Sequence, residues 1–246
     1  MRIAGLFDIH GNLPALAAVL EGLANERVDV VVVGGDTAWG PLSGECIDLL
    51  AALPYELHWL MGNCDREVLA ASDGVAGASE MATFTAERLT DQQLAVLRES
   101  NATVRLEDGE GRELLFCHGS PRADTDFVTR DSPGSRVLPM LEGSTGVVVG
   151  GHTHQQFDRV FDDRRFVNAG SVGLPYEGRR AAYWLLIGED FQMRETLYDV
   201  DSAINALRAT GFPLFDEVFG DSLITPIAPE KATKGLEEQA VSGESS

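Results

Sequence analysis

The chain has 246 residues, 44% of them hydrophobic and 24% charged, which is enough apolar material for one large core or two small ones and excludes disorder as the default state. Acidic residues outnumber basic ones 39 to 19, and the formal charge of −20 opposes duplex nucleic acid and anionic membranes. Only Lys231 and Lys234 are lysines, so the body of the chain lacks the lysine that a Walker A loop, a protein kinase or a pyridoxal enzyme requires.

Read in chain order, Arg2 to Phe7, Asp29 to Val33 and Tyr55 to Met61 are predicted strands, separated by helical patterns at Leu13 to Ala24 and Gly44 to Leu53. This alternation implies crossover connections and a mainly parallel sheet. From Ala70 to Ser100 the pattern turns helical, with Thr90 to Gln93 suited to a capped helix start, and reads as an insertion at about 70–100. Strands resume at Thr103 to Leu106, Arg112 to Cys117, Gly146 to Val149, Gln156 to Phe161, Arg164 to Asn168, Ala181 to Ile187 and Gln192 to Val200. Short links such as Asp162-Asp163 imply antiparallel hairpins and a second, mixed sheet. Asp201 to Gly211 is predicted helical. One domain over 1–225 is expected, and 226–246, poor in aromatics, reads as a loosely attached tail.

Cys46, Cys64 and Cys117 are too few and scattered for a disulfide framework or a zinc knuckle. With no apolar run long enough for a signal peptide or a membrane span, a cytoplasmic location and no membrane partner are expected. A Rossmann site has no support, because no Gly-x-Gly-x-x-Gly follows an early strand.

Five polar clusters close predicted strands: Asp8-Ile9-His10, Gly34-Gly35-Asp36, Gly62-Asn63-Cys64-Asp65, Cys117-His118-Gly119 and Gly150-Gly151-His152-Thr153-His154. Open α/β sheets bind ligands at such C-terminal strand ends. Four of the five histidines fall in these clusters, a concentration that scattered surface histidines would not produce.

In this order and spacing the clusters resemble those of the calcineurin-like metallophosphoesterases, whose blocks are Asp-x-His, Gly-Gly-Asp, Gly-Asn-(His or Cys)-(Asp or Glu), a later His and Gly-His-x-His. The resemblance extends over residues 8 to 154, and the chain's size looks like the small prokaryotic phosphodiesterase branch. It implies an α/β fold, a four-layer α/β/β/α sandwich of two mixed β-sheets flanked by helices. It further implies that Asp8, His10 and His154 hold one ion, Asn63, His118 and His152 another, and Asp36 bridges them. A bridging carboxylate can hold two cations about 3.5 to 4 Å apart, leaving a shared hydroxide to attack phosphorus. The mixed donor set suits two divalent transition-metal ions, Mn, Fe, Zn, Co or Ni, better than Ca.

The block at Asn63 departs from many relatives, which follow the Asn with a histidine able to protonate the leaving oxygen. Cys64 either does this less well, with a reference pKa of about 8.5, or packs at a helix start. Asp65 orients a metal-bound water or caps the following helix, and Arg66 reaches a phosphate oxygen or is solvated. Arg122, Arg179 and Arg180 are weaker candidates for the phosphate, and the run Asn168 to Gly173 offers backbone N–H groups near the site. His58, inside a strand, is expected to be structural. The resulting expectation is a phosphodiesterase acting on a small phosphorylated substrate. The alternatives are a nucleotide or dinucleoside-polyphosphate phosphohydrolase and a non-catalytic scaffold on the same fold.

Overall fold

The computed structural model of the protein describes residues 1–144 and 146–242. Two five-stranded sheets pack face to face. In the first, β1 (Ile3–Leu6), β2 (Val30–Val33) and β3 (Glu56–Trp59) run parallel, and an antiparallel hairpin of β9 (Ala182–Ile187) and β10 (Phe191–Thr196) adds to the β1 side. In the second, β5 (Glu113–Cys117), β6 (Val147–Gly150) and β8 (Arg164–Ala169) run parallel, with β4 (Thr103–Glu107) and β7 (Gln156–Phe161) antiparallel at the edges.

Alternation along these strands sends the two faces of each sheet to different neighbours. Ile3, Val30, Val32 and Leu185 meet Leu114, Phe116, Val149 and Val167 between the sheets. On its outer face the first sheet packs Leu6, Val31 and Val33 against Leu16 and Val19 of α1 (Leu13–Leu23) and Leu50 of α2 (Ser43–Ala51). The second packs Leu115, Val148 and Phe166 against Val137 and Met140 of α6 (Gly134–Met140). These are the four layers of the expected α/β/β/α sandwich. Register places the site: Leu6 pairs with Val33 and Val33 with Trp59, so the chain leaves β1, β2 and β3 at one common edge.

The interval predicted to be helical contains α3 (Asn63–Ser72), α4 (Glu80–Ala86) and α5 (Asp91–Arg98). Its helical character begins earlier than expected, because α3 starts at Asn63. Thr90 and Gln93 form the reciprocal cap of α5: the Thr90 hydroxyl accepts from the Gln93 N–H at 3.3 Å, and the Gln93 amide oxygen accepts from the Thr90 N–H at 2.9 Å. The strand predicted over Gln192 to Val200 is shorter, ending at Thr196, since Asp199 caps α7 (Val200–Arg208) by accepting from the Ser202 N–H at 3.0 Å.

After α7 come α8 (Phe215–Val218), a π-helical turn at Gly220–Ile224 and α9 (Pro229–Ser242). Composition read this last stretch as a loosely attached tail, but the structure shows α9 seated on the domain. Thr233 is buried and donates to the Gln155 amide oxygen at 2.8 Å, while Glu237 accepts from Thr129, Ser132 and Arg136. Residues 243–246 of that predicted tail lie outside the described residues. No helix among the described residues is long and apolar enough to cross a membrane.

Candidate metal centre

All seven side chains read as metal ligands come together where the common strand edges of the two sheets meet. Asp8 and His10 follow β1, Asp36 follows β2 and Asn63 opens α3 just after β3; His118 follows β5, and His152 and His154 follow β6. Both sheets therefore contribute to one cluster. Asp8 Oδ1 lies 3.2 Å from His154 Nε2 and 3.8 Å from His118 Nε2. Asp36 Oδ2 lies 3.2 Å from His118 Nε2 and 3.8 Å from His10 Nε2, and the Nε2 atoms of His10 and His154 are 3.3 Å apart. The groupings Asp8, His10, His154 and Asp36, His118, His152 each place their donor atoms close enough to share a cation.

Such closeness requires unusual backbone. Asp8, His10, Asp36, His152 and His154 have φ between 47° and 65°, the left-handed region that non-glycine residues rarely enter. Strain of this kind is worth about 1 to 3 kcal/mol per residue and persists only where surroundings enforce it. Here the enforcing groups are backbone hydrogen bonds between the loops. The N–H groups of Asp8 and His10 donate to the carbonyls of Gly35 and Asp36, and those of Val172 and Gly173 donate to the carbonyls of Phe7 and Asp8. The run Asn168 to Gly173, read as a source of N–H groups for the site, thus uses two of them to hold the Asp8 loop. Ser171 has the same task, its hydroxyl donating to the Asp8 carbonyl at 2.7 Å.

Two motif glycines permit the approach. A Cβ at Gly62 would lie 2.0 Å from Asp36 Oδ1, and one at Gly151 would lie 2.5 Å from Asp8 Oδ2. These glycines let one loop lie directly on the carboxylate of another.

The cluster's electrostatics call for positive charge. Asp8 and Asp36 are fully desolvated, which opposes their ionisation, yet neighbouring histidines outweigh burial and hold both below the usual carboxylate range. Burial likewise opposes charge on His118, but Asp36 and Asp8 beside it raise its pKa to about 10. His10 and His152, where burial dominates, fall to about 4. Two buried carboxylates thus draw a compensating cation into the cluster, and without a metal an imidazolium serves.

A metal ion fits the residues present on two counts. Asp8 Oδ1, Asn63 Oδ1, His118 Nε2 and His152 Nε2 are buried and accept or donate no hydrogen bond among the described residues, a costly state for polar atoms unless an ion satisfies them. The opposite ring nitrogens of two histidines are engaged, His118 Nδ1 with the Gly34 carbonyl at 3.0 Å and His154 Nδ1 with the Leu174 carbonyl at 2.7 Å, which leaves Nε2 in each free to ligate.

The remaining predicted site residues divide. Cys64 lines the cavity above the cluster, and its N–H donates to Asp36 Oδ1 at 2.9 Å, fixing the carboxylate. Burial and then the Asp36 charge push its thiol well above the ordinary range, so it stays protonated. Asp65 accepts from the N–H groups of Ala38 at 2.8 Å and Gly62 at 3.1 Å; it caps α3 and ties two site loops together. Arg66, read as a candidate phosphate ligand, is instead committed to Asp124 by two hydrogen bonds at 2.9 and 3.0 Å on the exposed surface. Arg122, Arg179 and Arg180 pair with Asp126, Glu195 and Asp201. His58 is half-buried beside Glu56, away from the cluster.

Sequence reading missed the cavity walls. Three aromatic rings lie against the histidines: Tyr176 stacks on His154 at 5.2 Å, Phe127 lies 4.7 Å from His152 and Trp39 meets His10 edge-on at 5.9 Å. No spacing in the sequence links Trp39 or Tyr176 to a particular histidine. The positions only become neighbours through the register of the two sheets.

Comparison with known proteins agrees with this geometry. The family model described as the calcineurin-like phosphoesterase superfamily domain matches residues 1–190. An uncharacterized protein of Methanocaldococcus jannaschii is 24% identical over 232 residues, 86% of this chain and 93% of its own. Among solved structures, a metallophosphoesterase from Sphaerobacter thermophilus aligns with a TM-score of 0.69 at 22% identity, covering 89% of this chain and 98% of that one. A hypothetical protein from Pyrococcus horikoshii aligns with a TM-score of 0.74 at 20% identity, covering 89% and 96%. At these identities the two structures establish a shared fold.

Proposed function

Because the chain belongs to the calcineurin-like phosphoesterase superfamily, we propose that the buried cluster is a two-metal centre and that the protein hydrolyses small phosphoesters, phosphodiesters in particular. Asp8, His10 and His154 would hold one ion, Asn63, His118 and His152 the other, with Asp36 shared between them. Carboxylate, amide oxygen and imidazole together suit Mn, Fe, Zn, Co or Ni. When bound, such ions supply Lewis acidity to phosphoryl oxygens and lower the pKa of a water held between them towards neutrality.

The chain's own residues prepare the site for that chemistry. The Gly34 and Leu174 carbonyls fix the ring orientation of His118 and His154, and the Cys64 N–H fixes Asp36. Phe127 and Tyr176 wall the cavity in which the ester would sit, each lying against one of the histidines. Cys64, a thiol where many relatives carry an imidazole, is a poorer acid for the leaving oxygen, so esters with acidic alcohols are the favoured substrates.

The observation that carries this reading is the convergence of four buried ligand-type atoms that make no hydrogen bond among the described residues, from Asp8, Asn63, His118 and His152, in one cluster beneath a cavity. The test is to strip the protein of metal, reload it with Mn²⁺ and follow hydrolysis of bis(4-nitrophenyl) phosphate alongside elemental analysis. Two ions per chain and turnover that vanishes on chelation are expected. Turnover unchanged in protein confirmed to be metal-free would contradict the reading.

A further inference from the structure

The family match ends at residue 190, and α9 lies beyond it. Its position is nevertheless intimate with the cluster. A cavity of about 470 Å³, in the range that holds one small molecule, is lined by His10, Asp36 and His152 and also by one face of α9, which presents Lys231, Gly235 and Gln239. Other positions of α9 fasten it. Thr233 and the Pro229 carbonyl bond to the Gln155 side chain at 2.8 and 2.9 Å, immediately after the predicted ligand His154, and Glu237 is held by Thr129, Ser132 and Arg136.

Two features of the cavity face call for explanation. Lys231 is the only lysine or arginine among the described residues lining the cavity, and in a chain of 39 acidic residues its ammonium makes no ion pair among the described residues. Glu217 and Asp221 line the same cavity without pairing to it. Lys234, one turn away, does pair, with Glu238 at 3.8 Å. Gly235 sits inside a 14-residue helix, where glycine is worse than alanine by about 1 kcal/mol. A Cβ there would meet nothing within 4 Å, and its φ is not positive, so neither crowding nor backbone conformation requires glycine. What its missing side chain does is leave the cavity open.

We propose that α9 is the substrate-selecting wall of the site: Gly235 keeps room for the non-reacting group of a compact phosphoester, and Lys231 pairs with an anionic group on that substrate away from the scissile phosphorus. The preferred substrates are small, doubly anionic phosphoesters, and polymers are shut out. This assignment rests on the phosphoesterase reading, and its test separates the two.

Phenyl 4-nitrophenyl phosphate, the same diester with a 4-carboxylate on the phenyl ring, and methyl 4-nitrophenyl phosphate are compared on Mn²⁺-loaded wild type, Lys231→Gln, Lys231→Arg, Gly235→Phe and the charge control Lys234→Gln. Lys231→Gln is expected to raise KM about tenfold for the carboxylated ester alone with kcat little changed, Lys231→Arg to restore it, and Lys234→Gln to change nothing. Gly235→Phe is expected to lower kcat/KM at least tenfold for both diaryl esters, to spare the methyl ester and not to lower Tm. Binding is read separately with benzylphosphonate and 4-carboxybenzylphosphonate, whose C–P bonds are not cleaved, by calorimetry. Wild type should prefer the carboxylated probe, and Lys231→Gln should erase the preference. Turnover with no such discrimination in the variants would overturn the assignment and leave the phosphoesterase reading intact. Discriminating binding without turnover of any ester would do the reverse, and neither binding nor turnover would overturn both.

Discussion

At the scale of single residues, the site depends on a few close approaches that fix what each position can be. Asp36 touches most of the cluster: its Oδ2 lies near His118 and His10, its Oδ1 accepts the Cys64 N–H, and Gly62 lies against it. Replacing Gly62 by alanine would place a methyl carbon 2.0 Å from Asp36 Oδ1, so the Asp36 carboxylate must move. We expect Gly62→Ala to lower activity by more than tenfold and to reduce metal content, with circular dichroism unchanged. Normal metal content and turnover would show that Asp36 need not stand where it does. Much of this was legible beforehand, because Asp-x-His, Gly-Gly-Asp and Gly-His-x-His name the polar atoms directly. Arg66 was not, since nothing local in the sequence announces Asp124 as its partner. The left-handed backbone at five of the seven proposed ligands was hidden too: Asp and His enter that region more often than other non-glycine residues, but still too rarely for their presence in a sequence to announce it.

At the scale of elements, the strands were readable because their β-branched runs are both apolar and bounded by glycine or polar residues, as at Val30–Val33 and Val147–Gly150. α9 was not readable. Only Ala232 and Thr233 are buried in it, so no apolar stripe marks it, and its attachment is polar. Glu237 is the clearest case: burial opposes its charge, but Arg136, Thr129 and Ser132 outweigh burial and lower its pKa. A carboxyl whose folded pKa is depressed adds stability above its unfolded pKa, about 4.3, and loses it as pH falls through the folded value. Hydrogen exchange in α9 should therefore quicken as pH is lowered below about 4.3 relative to the intrinsic rate, and Glu237→Gln should flatten that dependence. An unchanged dependence in the variant would mean that Glu237 does not hold the helix.

At the scale of the whole molecule, the two sheets share an apolar core but meet at their edge through charge. Asp8, His10, Asp36 and Asn63 come from one sheet and His118, His152 and His154 from the other, so an ion bound among them joins the sheets. Binding only to the folded state stabilises it by about 2.7 kcal/mol at a hundredfold excess over Kd. For a chain of this length that corresponds to a rise in Tm of roughly 5 to 10 °C. A Tm indifferent to saturating Mn²⁺ would contradict a cation site spanning the sheets. The most direct measurement is anomalous diffraction from crystals of the Mn²⁺-loaded protein. The account predicts two peaks about 3.5 to 4 Å apart, one among Asp8, His10 and His154, the other among Asn63, His118 and His152, both reached by Asp36. A single peak, or peaks away from Asp36, would contradict it.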